Sequence, residues 1–343
     1  MPPFLGAVNF MASQQNTHTG TPGYNSGLGA DQVMPVHSEP PHPAIGLALG
    51  GGVARGWAHI GALQRLEELG VKPDIVCGTS VGALVGGFWR AGKLSQLESW
   101  ARALTKRRML TYFDLMLSGS GLMGGKRLQK TMRTYLDDTR IEDLSGRFVA
   151  VTAEMTTGHE TWLTEGDLAN AIEAAYALPG VFPPRNINGR WLIDGALVNP
   201  LPVSVCRAMG ARLVIAVGLH GDAFGRASVH RREKFEPVGN STANDATSEK
   251  LLGVGQNFML RKLFQPSGTT PGLGSVMLAS FNIVMDRVTR SRLAGDPADV
   301  LILPKVGHVP LLDFDKADDL IMAGRNSIDD AMPEIEGALE ILA

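Results

Sequence analysis

Five residues, Gly78-Thr79-Ser80-Val81-Gly82, form a GxSxG pattern between the apolar run Asp74-Ile75-Val76-Cys77 and a second apolar stretch from Ala83 to Ala91. A serine that attacks a carbonyl needs a sharp strand-to-helix turn, where flanking glycines avoid crowding and accept backbone angles that other residues resist. The helix that follows aims its N-terminus at Ser80, and its partial positive charge stabilises a developing alkoxide. The chemistry on offer is acyl transfer through a serine ester. Upstream, Gly50-Gly51-Gly52-Val53-Ala54-Arg55-Gly56 occupies another strand-to-helix junction. A Walker A loop ends in GK[ST], and this one ends in Arg55-Gly56. A dinucleotide fingerprint needs GxGxxG, which three consecutive glycines followed by Arg55 do not supply, although Asp74 lies near the expected acidic position. A loop of backbone N–H groups facing an oxyanion remains, where one positioned donor is worth about 2.7–4 kcal/mol of barrier.

The serine needs a base, and residue types alone leave two kinds open. His220 and His308 lie late enough for the chain order serine, carboxylate, histidine of α/β-hydrolases. Asp194 closes the apolar run Trp191-Leu192-Ile193 and precedes Gly195-Ala196, which suits the carboxyl edge of a sheet where α/β active sites assemble. An ordinary aspartate, near pKa ~3.9, is a poor base at neutral pH, and partial burial would raise it.

The elements that position these residues read as strand, helix, strand, helix. Ile45–Leu49 is a strand, Gly56–Leu69 a helix with Trp57, Ile60, Leu63, Leu66 and Leu69 on one face, Asp74–Cys77 a strand, and Ala83–Ala91 a helix. Later come Phe148–Val151 (strand), Asp167–Ala177 (helix), Trp191–Ile193 (strand), Leu201–Met209 (helix) and Leu213–Val217 (strand). Such alternation predicts one α/β domain over 44–343 with a mainly parallel sheet. Residues 1–43 hold 7 of the 20 prolines and neither Lys nor Arg, which predicts a mobile tail without a targeting peptide. The polar stretch 221–250 reads as an exposed insertion.

Composition narrows the partners. The 343 residues are 44% hydrophobic and carry a net charge of −2, so no global field favours nucleic acid. Cys77 and Cys206 form no CxxC, which suggests neither zinc nor a disulfide framework and fits a reducing, cytoplasmic location. No apolar stretch reaches the roughly 18 residues of a membrane span, so a membrane would be met from the side.

Together these residues resemble the patatin-like phospholipases, most closely their bacterial and neuropathy-target-esterase-type members. The likeness rests on LALGGGVARGWAHIGALQRLEELG, GTSVGALVGG, Gly121-Leu122-Met123-Gly124-Gly125, Leu178-Pro179-Gly180-Val181-Phe182-Pro183 and the stretch from Leu192 to Pro202, within 45–218. The resemblance implies a patatin-like three-layer α/β fold, helices covering both faces of a mainly parallel sheet. It also implies Ser80 as nucleophile and Asp194 as its base without a histidine, and backbone amides of Gly51, Gly52 and Val53 as the oxyanion hole. Arg55 would brace that loop or meet a lipid phosphate, and Gly50, Gly56, Gly78, Gly82 and Gly195 would shape the turns. Val53 replaces a fourth glycine common in the closest relatives. The implied activity is carboxylic ester hydrolysis of phospholipid or lysophospholipid acyl groups, of phospholipase A or lysophospholipase type, with neither metal nor cofactor. An acyltransferase using the same dyad, or a regulatory protein with little turnover, are the alternatives.

Weaker signals have plainer readings beside functional ones. Residues 115–125 suit an apolar flap or core packing, and Phe281–Leu293 suits either an ordinary surface helix or one lying on anionic lipid. Lys106-Arg107-Arg108 reads as a solvated charge run, His59 as a packed helix residue, and Cys77 as strand core.

Overall fold

The computed structural model describes residues 44–105, 126–136, 138–220 and 273–342. The expected tail, the run Lys106-Arg107-Arg108, the segment 115–125 and the polar stretch 221–250 lie outside them. Eight strands form one sheet: β1 (Ile45–Leu49), β2 (Ile75–Thr79), β3 (Arg147–Glu154), β4 (Glu160–Leu163), β5 (Arg185–Ile187), β6 (Arg190–Asp194), β7 (Leu213–Val217) and β8 (Val300–Ile302). Their order is β5-β6-β3-β2-β1-β7-β8, with β4 also paired to β3. The pairs β1/β2, β1/β7, β2/β3 and β7/β8 are parallel, and β3, β4, β5 and β6 pair with one another antiparallel.

Alternation along each central strand divides the core into two layers. Leu47, Leu49, Val76, Phe148, Ile215 and Val217 point to one face. There they pack under α1 (Ala58–Glu68), α2 (Val81–Arg90), α3 (Leu94–Arg102), α4 (Lys126–Leu136), α5 (Leu168–Ala175) and α8 (Ala317–Leu342). Ala48, Ile75, Cys77, Val149, Val151 and Val214 point the other way, toward α6 (Val203–Ala208) and the end of α7 (Leu273–Gly295). Burial on both sides explains why β1 and β7 read as unbroken apolar runs. One contact is closer than side chains allow. A Cβ on Gly61 of α1 would lie 1.8 Å from the Ile321 carbonyl oxygen, and one on Gly324 of α8 would lie 1.8 Å from that of Ala58. The two helix backbones therefore touch, and each needs glycine at the crossing.

Strand register brings two distant residues together. Val151 of β3 pairs with Thr79 of β2, and the next residue, Thr152, pairs with Asp194 of β6. At both positions β4 holds the opposite edge of β3, through Trp162 and Thr161. So β2 and β6 follow one another along a single edge of β3. Running in opposite directions, they end facing each other, and Ser80 and Asp194 meet at that junction.

Candidate active site

Ser80 follows β2 with φ 56° and ψ −125°, a left-handed conformation unusual for any residue but glycine and costing about 1–3 kcal/mol. Its surroundings hold it there. The Ser80 carbonyl accepts from the amides of Ala83 and Leu84 at 3.0 and 3.2 Å, which joins the turn to α2. A Cβ on Gly78 would lie 2.5 Å from the Ala83 backbone, and one on Gly82 would lie 2.2 Å from the Leu49 carbonyl oxygen. Both glycines of the pattern are thus required by close approach.

Ser80 Oγ donates to Asp194 Oδ2 at 2.7 Å, and Asp194 Oδ1 accepts from the Ala196 amide at 2.8 Å. Asp194 is 1% exposed. Burial pushes its carboxyl up to about 7, against the opposing pull of the bonds from Ser80 and Ala196. Such a group is a competent base near neutrality, unlike an ordinary aspartate. Gly195 tucks against β3, since a Cβ there would lie 2.3 Å from the Val151 carbonyl oxygen.

The glycine loop between β1 and α1 approaches this pair closely. A Cβ on Gly51 would lie 3.3 Å from the Cβ atoms of both Ser80 and Ala196, and one on Gly56 would overlap the Val81 side chain. Four loop amides are occupied: Gly50 N–H donates to Val217 O, Gly51 to Pro200 O, Ala54 to Leu311 O and Arg55 to Gly52 O. Of the three amides expected to form the oxyanion hole, that of Gly51 is thus bonded to Pro200 O at 2.9 Å. The amides of Gly52 and Val53 make no hydrogen bond to another described residue. Val53 itself has φ 53°, in the left-handed region where glycine is at ease and a β-branched residue is not. Arg55 is buried with Nε on Val309 O at 2.9 Å and Nη2 on Gly307 O at 3.2 Å, so these contacts tie the loop to the segment after β8.

Neither candidate histidine is hydrogen-bonded to Ser80 or Asp194. His220 is buried, and burial together with nearby Arg55 pushes it down to about 4. His308 lies exposed on the loop after β8. Three contributions had no signal in residue type or spacing. Thr79 Oγ1 donates to Asn199 O at 2.9 Å, and Asn199 N–H donates to Gly195 O at 2.8 Å, so Asn199-Pro200 fastens elbow, glycine loop and Asp194 turn together. His59 Nε2 lies 2.8 Å from Gly50 O. Cys77 and Cys206, far apart in sequence, are free, buried thiols that share the core layer on the other face of the sheet.

An apolar pocket of about 110 Å³ opens from Ser80 and Asp194, walled by Val53, Trp57, Leu84, Trp100, Leu178 and Phe182 among others. Trp57 packs edge-on against Trp100 and Phe314 at 5.8 and 6.0 Å between ring centroids. The pocket suits a hydrocarbon chain bound with its polar end at the serine.

A strained serine, a raised carboxylate and a glycine loop thus meet at the end of an apolar pocket on a three-layer α/β fold. The chain belongs to the patatin-like phospholipase family, whose model matches residues 47–207. It is 31% identical over 333 residues to an uncharacterised NTE family protein of Mycobacterium tuberculosis strain H37Rv, covering 86% of this chain and 92% of that one. Over 181 residues it is 37% identical to mouse patatin-like phospholipase domain-containing protein 7 and 34% identical to the Drosophila melanogaster neuropathy target esterase sws. These two matches cover 51% of this chain and 13% of each relative. A crystal structure of VipD from Legionella pneumophila aligns with a TM-score of 0.43 at 14% identity, covering 87% of this chain and 67% of that one.

Proposed function

We propose that this protein hydrolyses fatty-acyl esters of phospholipids or lysophospholipids through a Ser80–Asp194 dyad. The observation that carries the reading is the 2.7 Å hydrogen bond from Ser80 Oγ to a buried carboxylate at the end of an apolar pocket. Asp194 takes the hydroxyl proton as Ser80 Oγ attacks the ester carbonyl, and the amides of Gly52 and Val53 receive the oxyanion. Collapse expels the alcohol, which takes the proton back from Asp194 and leaves an acyl-serine. Water then attacks, Asp194 accepts its proton, and the carboxylic acid leaves as Ser80 is reprotonated.

A lipid surface fits one end of α7. Leu278 lines the pocket, while Val276, Ile283 and Val284 of the same helix are 45–50% exposed. Arg287 and Arg290 continue that outer face toward the helix C-terminus. No helix among the described residues is long and apolar enough to cross a membrane.

The test is mass spectrometry after fluorophosphonate treatment of wild type and Asp194→Asn. One adduct on Ser80, formed at least about a hundredfold more slowly in the variant, supports the dyad. No adduct on folded wild type, with lipid micelles present, overturns it. His308→Ala keeps wild-type labelling, and loss of labelling there would restore a histidine base.

A further inference from the structure

The Gly52 and Val53 amides, proposed above as oxyanion donors, belong to a stretch with little side-chain anchorage of its own. The peptide unit just before them runs from Gly50 C=O to Gly51 N–H. Both poles of that unit are held. Gly51 N–H donates to Pro200 O at 2.9 Å, and Gly50 O lies 2.8 Å from His59 Nε2. A carbonyl oxygen only accepts, so Nε2 carries the proton. His59 is fully buried on the first turn of α1, and its Nδ1 has no hydrogen-bond partner among the described residues. Burial pushes its imidazole down to about 4, which leaves a neutral ring with a fixed tautomer at working pH. Beyond the two donors the loop is held again, through Ala54 N–H on Leu311 O and Arg55 Nε on Val309 O. The donors therefore span the gap between two anchored points, and one anchor is a polar side chain that leaves its other ring nitrogen orphaned in the core.

We infer that His59 is a positioning residue, which by donating to Gly50 O aims the Gly52 and Val53 amides at the oxyanion. The inference rests on the proposed hydrolysis, and its tests separate the two. His59→Met removes the donor at similar volume, whereas His59→Gln places an amide N–H near the original Nε2. With a short-chain ester, kcat of the Met variant falls about 10- to 100-fold with KM within about twofold, the expected loss when oriented groups shift by a fraction of an ångström. The Gln variant recovers most of that rate at the same melting temperature. A folded Met variant with wild-type kcat overturns the inference, as does a Gln variant no better than Met at equal stability. Should the Met variant fail to fold, ¹⁵N NMR of wild-type His59 decides: a neutral Nε2–H tautomer at pH 7 supports the inference, and an Nδ1–H tautomer or an imidazolium overturns it. If wild type neither turns over ester nor reacts with fluorophosphonate, the proposed function has failed instead.

Discussion

Asp194 carries two demands that pull in opposite directions. As a proposed base it must be ionised, and as a group 1% exposed it resists ionisation, so burial raises it from its ordinary 3.8 to about 7. Activity should therefore climb about tenfold per pH unit below 7 and level off above it, which a kcat/KM profile on a short-chain ester checks. Stability runs the other way. A carboxyl whose pKa is higher folded than unfolded contributes its full stability below the unfolded value and loses it as pH rises through the folded one. Asp194→Asn cannot ionise, so it should match wild type near pH 3 and exceed it at pH 8 by at most about 4 kcal/mol in denaturant titrations, while losing activity. Equal stability at both pH values would show that Asp194 is solvated. Ser80 was legible in the sequence because close packing forces glycine on both sides of it. Asp194 was one of two kinds of candidate until the family resemblance singled it out, since its partner stands 114 residues away and only the β3 register joins them. His59 and Asn199 act through backbone carbonyls and amides, which leave no pattern of residue types.

At the scale of elements, the crossing of α1 and α8 sets the position of the helix that begins beside the glycine loop. Gly61 and Gly324 each abut the other helix's backbone, where no rotamer change can make room for a methyl group. Gly324→Ala should thus destabilise by about 1–3 kcal/mol or more in urea titrations. Gly337→Ala, in the same helix with nothing within 4 Å of its Cβ position, should instead stabilise by up to about 1 kcal/mol. Similar effects from both substitutions would mean that the helices do not touch as described. The central strands were legible because both of their faces are covered, and Ile45–Leu49 and Leu213–Val217 fall where the apolar runs put them. α2 begins at Val81, two residues before the expected Ala83, because the Ser80 carbonyl already accepts helical bonds. β4 and β5 were not legible: each is four residues or fewer, partly exposed, and defined by its pairing to β3 or β6. α8 was missed because its buried positions answer to α1 and β8, with acidic residues between them.

For the whole molecule, the proposed hydrolysis raises the question of how a bilayer lipid would reach a buried serine. The segment Phe281–Leu293 suits either an ordinary surface helix or one lying on lipid; along α7 Met285 is buried at 3% exposure, whereas Val276, Ile283 and Val284 lie outside. The outer face is apolar at the pocket end and basic from Arg287 onward, about 6 Å beyond Ile283 along the axis. That spacing suits a helix end dipping into acyl chains while its arginines stay among phosphates, the depth at which interfacial helices bind. Ile283→Asp should abolish sedimentation with phosphatidylcholine vesicles containing phosphatidylglycerol and lower hydrolysis of vesicle lipid about tenfold, with short-chain ester turnover unchanged. Arg287→Ala should weaken vesicle binding about fivefold at low salt, as one basic residue contributes about 1 kcal/mol, and the difference should fade as salt screens it. Because the short-chain ester needs no bilayer, a loss confined to vesicles places the defect at docking. Equal losses on both substrates would place it at the pocket wall that α7 supplies through Leu278.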